Sequence, residues 1–114
     1  MASSDFNLHE NIQSLTYTPQ SGYAFQTMNI KRSGKMVQFY GYGTFAISAV
    51  NTWVYIGQIK GITTPVDRYI AAYSANGEPY DGVGRVGTSG DVYVMTHSAK
   101  TNANIVLADV FMVN

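Results

Sequence analysis

Turn-forming residues break this chain at intervals of about ten residues, and that spacing limits what it can fold into more than any other feature. The breaks are Pro19-Gln20-Ser21-Gly22, Ser33-Gly34, Ala49-Val50-Asn51, Gly61 to Pro65, Asn76-Gly77, Thr88-Ser89-Gly90 and Lys100-Thr101-Asn102. Segments this short suit antiparallel strands and leave little room for helices. About eight strands are expected, over 12–18, 22–32, 36–48, 52–60, 68–75, 82–87, 91–97 and 104–113. Asn76-Gly77 and Ser33-Gly34 carry the strongest hairpin signals, because a tight primed turn needs the positive φ that Gly and Asn tolerate. The stretch from Met36 to Ile47, rich in β-branched and aromatic residues and interrupted by Gly41 and Gly43, is a poor helix and a reasonable strand with close backbone approaches. The expected fold is therefore all-β, an antiparallel β-sandwich or jelly-roll-like barrel spanning 12–114. Residues 1–11, polar and aperiodic, read as a flexible leader or a cloning remnant.

Side-chain alternation adds a second expectation. Along Phe39 to Ile47 the odd positions carry Phe39, Phe45 and Ile47 and the even ones Tyr40, Tyr42 and Thr44, giving one core face and one amphipathic face. Elsewhere both faces are apolar: Trp53 and Tyr55 alternate with Val54 and Ile56, Val92 and Val94 with Tyr93 and Met95, and Ile105, Leu107 and Phe111 with Val106, Val110 and Met112. A two-layer body of 114 residues covers one face of each sheet, so the second faces are explained either by self-association or by singly exposed aromatics of the kind any surface carries.

Composition narrows the chemistry. Seven basic residues balance seven acidic ones, and Lys31, Arg32 and Lys35 form the only local basic cluster, which argues against a nucleic-acid partner. The chain has no cysteine, which excludes thiolate metal sites, thiol nucleophiles and disulfides. No apolar run approaches the roughly 20 residues of a membrane span, and residues 1–10 lack the basic start and apolar core of a signal peptide.

Catalytic groups are hard to nominate. Glu78 and Asp81 lie in a Gly/Pro-rich turn, where a solvated loop is the simpler reading, and Asp67, Asp91 and Asp109 are scattered. His97 is the one histidine in the folded region, so a metal or a cofactor-dependent centre has no ligand spacing to rest on. Gly87-Thr88-Ser89-Gly90 lacks the context of a nucleophile elbow, and Ser33-Gly34-Lys35 lacks that of a phosphate loop. The expectation is a non-enzyme without cofactor or metal. Nine tyrosines and one tryptophan, set against few charges, instead fit saccharide recognition, in which sugar C–H faces pack on rings and hydroxyls pair with Asp, Asn, Arg or His. The candidate site residues are Arg85, Tyr93, Asp91, His97 and Trp53, with Asp67 and Arg68 as further anchors near strand ends.

Particular stretches also resemble a family. Gly34-Lys35-Met36-Val37-Gln38-Phe39-Tyr40-Gly41, Trp53 before Ile56-Gly57-Gln58-Ile59, the Pro65-x-x-Arg68 step, and Arg85 through Val94 look like the C-terminal head domain of phage receptor-binding tail and baseplate proteins, above all those of siphophages infecting Gram-positive bacteria. The resemblance spans roughly 13–113 and implies a trimeric head on a virion tail tip that works outside the cell. It further implies contacts to other tail or baseplate proteins and to cell-wall saccharide or glycerol phosphate of a bacterial host. Those heads carry a His-x-Asp pair and a double Trp where this chain has Arg85-Val86-Gly87 and Tyr93-Val94-Met95. Arg85 and Tyr93 hold the comparable places, so the resemblance carries over a location and not a ligand. The rival reading is a trimeric structural cap that registers a fibre without touching a receptor.

Overall fold

Burial along the longest uninterrupted strand follows the two-residue period of its sequence. In β4 (Met36–Ile47), Val37, Phe39, Gly41, Gly43, Phe45 and Ile47 are buried and the residues between them are not. The computed structural model describes residues 12–74 and 81–114. Before β4 come β1 (Ile12–Ser14), β2 (Tyr17–Pro19) and β3 (Thr27–Ser33); after it come β5 (Val54–Ile59), β6 (Arg68–Ile70), β7 (Ala72–Ser74), β8 (Gly82–Val86), β9 (Asp91–Thr96) and β10 (Lys100–Met112). All pairings are antiparallel. They form two five-stranded sheets, β1-β3-β4-β10-β7 and β2-β5-β9-β8-β6. The inward residues of both, among them Phe39, Phe45, Ile56, Val92, Val94, Ile105 and Leu107, make one apolar core.

The all-β, antiparallel expectation holds, but among the described residues the eight expected segments become ten strands because two of them change sheets midway. The first segment divides at Leu15-Thr16: β1 pairs with β3, whereas β2 pairs with β5. The 68–75 segment divides at Ala71, with β6 beside β8 and β7 beside β10. Asp109 holds that corner, its carboxylate accepting the N–H of Ala71 at 2.9 Å. Residues 22–26, expected to be strand, are loop; Tyr23 and Phe25 nonetheless pack on the core, with the Phe25 ring 5.2 Å from Phe45. Gly41 and Gly43 make room for it, since a Cβ at either position would run into the Phe25 or Phe45 ring.

Two turns behave as their residues require. Gly34 (φ 59°) and Lys35 form the two-residue β3–β4 hairpin, with positive φ confined to the glycine. In the β8–β9 turn, Gly90 N–H donates to the Gly87 carbonyl at 2.9 Å and Gly90 itself has φ 85°. The expected Asn76-Gly77 hairpin lies outside the described residues.

Candidate functional site

Strand register assembles the site. On the outer face of the second sheet, Tyr55 of β5 lies opposite Tyr93 of β9, Tyr93 opposite Arg85 of β8, and Arg85 opposite Tyr69 of β6. One row therefore crosses four strands with an aromatic side chain on three of them and a guanidinium on the fourth. A bulge in β5 sets the phase of this row: pairing skips Ile56 between Tyr55 and Gly57, so Tyr55 and Gln58 both face outward while Ile56 and Ile59 are buried. The Ile56 carbonyl, freed from the ladder, accepts the Tyr17 hydroxyl at 3.0 Å and the Gln20 N–H at 2.9 Å. Gly57 leaves space for Tyr17, because a Cβ there would collide with the phenol.

Trp53, just before β5, completes the cluster. Its ring lies 4.5 Å from the Arg85 guanidinium carbon and 6.1 Å from the Tyr69 ring. The Tyr93 ring lies 4.4 Å from the same guanidinium carbon, and Tyr55 packs edge-on to Tyr93 at 5.7 Å. Each cation–π contact contributes roughly 0.5–2 kcal/mol. Together the two rings hold the Arg85 side chain in one place. Asp67, next to β6, sits 3.8 Å from Arg85 Nη1, an ion pair too long to be a hydrogen bond. No Arg85 nitrogen hydrogen-bonds to another described residue, and its buried Nε has no partner among them. The side chain is 21% exposed and that of Asp67 47%. The result is a clamped planar donor with nearby acidic acceptors and rings on either side, an arrangement able to pair with adjacent hydroxyls on a ligand that stacks on the rings.

Of the candidates from the sequence, Arg85, Tyr93 and Trp53 are brought together, and Asp91 joins the same face two residues along β9, opposite Gln58. His97 does not join them. It lies past the other end of β9, roughly 13 Å of strand from Tyr93, and its Nδ1 is 2.7 Å from Asn51 Oδ1. Asn51 adopts φ 55° and donates its N–H to the Thr96 carbonyl, so His97 and Asn51 shape the β4–β5 connection. Arg68 also turns away, donating from Nε to the Met112 carbonyl at 3.2 Å. Tyr69, 65% exposed, and Tyr55 went unnominated. No sequence signal marks them: Tyr55 comes to lie opposite Tyr93, and Tyr69 opposite Arg85, only through strand register.

Asp81, another acid weighed from the sequence, is held in local contacts. Asp81 accepts the Ser98 hydroxyl at 2.6 Å and pairs with Lys100 at 3.0 Å, and the Ser98 bond, followed by the Lys100 bond, holds its carboxyl below the usual aspartate range. Glu78 lies outside the described residues. Among those described, no group of three His, Cys, Asp or Glu could hold a metal ion, and no helix is long and apolar enough to cross a membrane. No protein-family model matches this chain, and no curated protein matches it.

Proposed function

We propose that this chain is a non-catalytic adhesion head that binds neutral saccharide on the surface of a bacterial host, displayed as a homotrimer among the tail or baseplate proteins of a phage virion. The observation that carries the saccharide reading is the Arg85 clamp between Trp53 and Tyr93, continued on either side by Tyr55 and Tyr69. The phage setting and the threefold display rest on the sequence resemblance. A neutral ligand is favoured over an anionic one because Asp67 beside Arg85 offsets its charge and Asp91 adds a second carboxylate to the same face. A single flat site of this kind binds weakly, on the order of millimolar to micromolar, and display in several copies raises avidity by roughly 10² to 10⁴.

The test is binding of the folded chain to host cell-wall polysaccharide, with Arg85→Ala, Arg85→Lys and Tyr69→Ala beside the parent. Arg85→Ala is expected to weaken binding at least about tenfold, and Arg85→Lys is expected not to restore it, since an ammonium has neither the planar stacking face nor the fork of donors. A folded, assembled chain that binds no cell-wall preparation overturns this reading in favour of the structural cap.

A further inference from the structure

The opposite side of the molecule is unlike the site. On the outer face of the first sheet, register places Met36 beside Met112, Gln38 beside Val110, Tyr40 beside Ala108, and Tyr42 beside Val106, with Tyr73 flanking Val106 from the other side. Ile12, Met36, Tyr40, Tyr73, Val110 and Met112 are each between 41% and 50% exposed. Lys31 is the single charged residue facing outward from the paired strands of this sheet among the described residues. It lies towards the β1 edge with its Nζ on Ser14 Oγ at 2.6 Å. Arg32 points the other way, donating to the Gly34 and Asn114 carbonyls, and Asp109 faces inward to its corner.

From these features we infer that this face is covered by a second copy of this chain, and that the two sheets divide the work, one outer face binding ligand and the other binding self. Area is the first argument. The six exposed side chains present on the order of 500 Å² of mostly apolar surface, near the upper end of what a monomer carries as its largest patch. β4, with 12 residues, runs for about 40 Å beside β10, so the neighbouring Tyr42, Val106 and Gln38 extend the face towards the roughly 800 Å² per partner of a standard interface. Charge is the second. A face with one cation near its rim meets its own copy with little like-charge repulsion, and it offers an oppositely charged partner nothing to select. Tyrosine and methionine with few charges is also the composition of interface cores. A groove of about 200 Å³, lined by Ile12, Met36 and Val110 and also by Lys31, Arg32 and Gln38, leaves room for a tyrosine side chain from the other copy, with polar groups beside it for the hydroxyl.

The inference builds on the multicopy display proposed above but fails separately from the saccharide reading. Sedimentation velocity of the full chain from about 1 µM to about 1 mM is expected to show assembly. Val110→Lys and Tyr40→Lys, both at half-exposed positions, are expected to weaken it at least about 100-fold, while Tyr69→Lys on the other sheet leaves it unchanged. Should a lysine variant fail to fold, peroxide oxidation of the parent chain reads the same surface: Met36 and Met112 become protected as concentration rises, and Met95 on the ligand-binding sheet does not. A single-copy species at the highest concentration overturns the inference, as does an assembly indifferent to both lysines with Met36 and Met112 unprotected. Saccharide capture by a monomer, lost on Arg85→Ala, overturns this inference and the multicopy display but leaves the saccharide reading standing, whereas an assembly that Val110→Lys dissociates but that never binds saccharide overturns only the saccharide reading.

Discussion

At the scale of single residues, the structure separates glycines that look alike in sequence. Gly22 and Gly90 both have positive φ, at 89° and 85°, yet a Cβ at Gly22 would meet nothing within 4 Å, while one at Gly90 would strike the carbonyl oxygen of Ile59. That same Ile59 donates its N–H to the Gly90 carbonyl at 2.8 Å, so the two backbones are locked together and cannot separate to make room. Gly22→Ala is therefore expected to cost about 1 kcal/mol from backbone strain alone, and Gly90→Ala about 3 kcal/mol or more, as read by urea unfolding. Tyr17 makes a residue-scale prediction in pH. Burial pushes its hydroxyl well above the usual tyrosine range, with Tyr55 adding to the effect. In the unfolded chain this phenol ionises near pH 10, whereas the folded protein keeps its proton. Stability is thus expected to fall as pH rises past about 10, and in Tyr17→Phe the alkaline decline should be shallower when unfolding is followed from pH 8 upwards.

Elements are shaped here by where strands change partners. β6 and β7 are separated by Ala71 alone, and between them the chain passes from one sheet to the other. Such a corner removes backbone groups from their ladders. Asp109 supplies one replacement acceptor for Ala71 N–H, its other oxygen takes the N–H of Val110 at 2.8 Å, and the Ala71 carbonyl accepts Ala108 N–H at 3.2 Å. Asp109→Ala leaves the Ala71 donor without its carboxylate and is expected to cost about 1–3 kcal/mol in thermal or chemical unfolding. Asp109→Asn retains an acceptor oxygen and should cost less. Both faces of β10 read as apolar in sequence, so neither the inward face nor the role of an inward acid on it was legible, because the partner of Asp109 lies 38 residues away.

For the whole molecule, the balance of seven basic and seven acidic residues has a measurable consequence. A ligand held by ring stacking and hydrogen bonds releases few counterions, so capture of polysaccharide is expected to change less than about threefold between 50 mM and 500 mM salt, against the steep losses that mark phosphate-backbone binding. Retention on a polysaccharide column across that range checks it. A steep loss with salt would point instead to an anionic ligand held by Arg85.

What the sequence determined alone was local and periodic: turn residues pointed to short antiparallel strands, alternation set which side of β4 faces the core, and glycines marked the β3–β4 and β8–β9 turns. These follow from φ preferences and from a period of two, which act over a few residues. The sheet changes at Leu15-Thr16 and Ala71, the bulge at Ile56 and the row Tyr55–Tyr93–Arg85–Tyr69 were decided only by tertiary structure. Sequence could nominate Arg85, Tyr93 and Trp53 by chemistry, but it could not separate His97 from them or add Tyr69. Those distinctions depend on which strands lie side by side and in what register, and register arises from the packing of two sheets on one core, which no short stretch of chain encodes by itself.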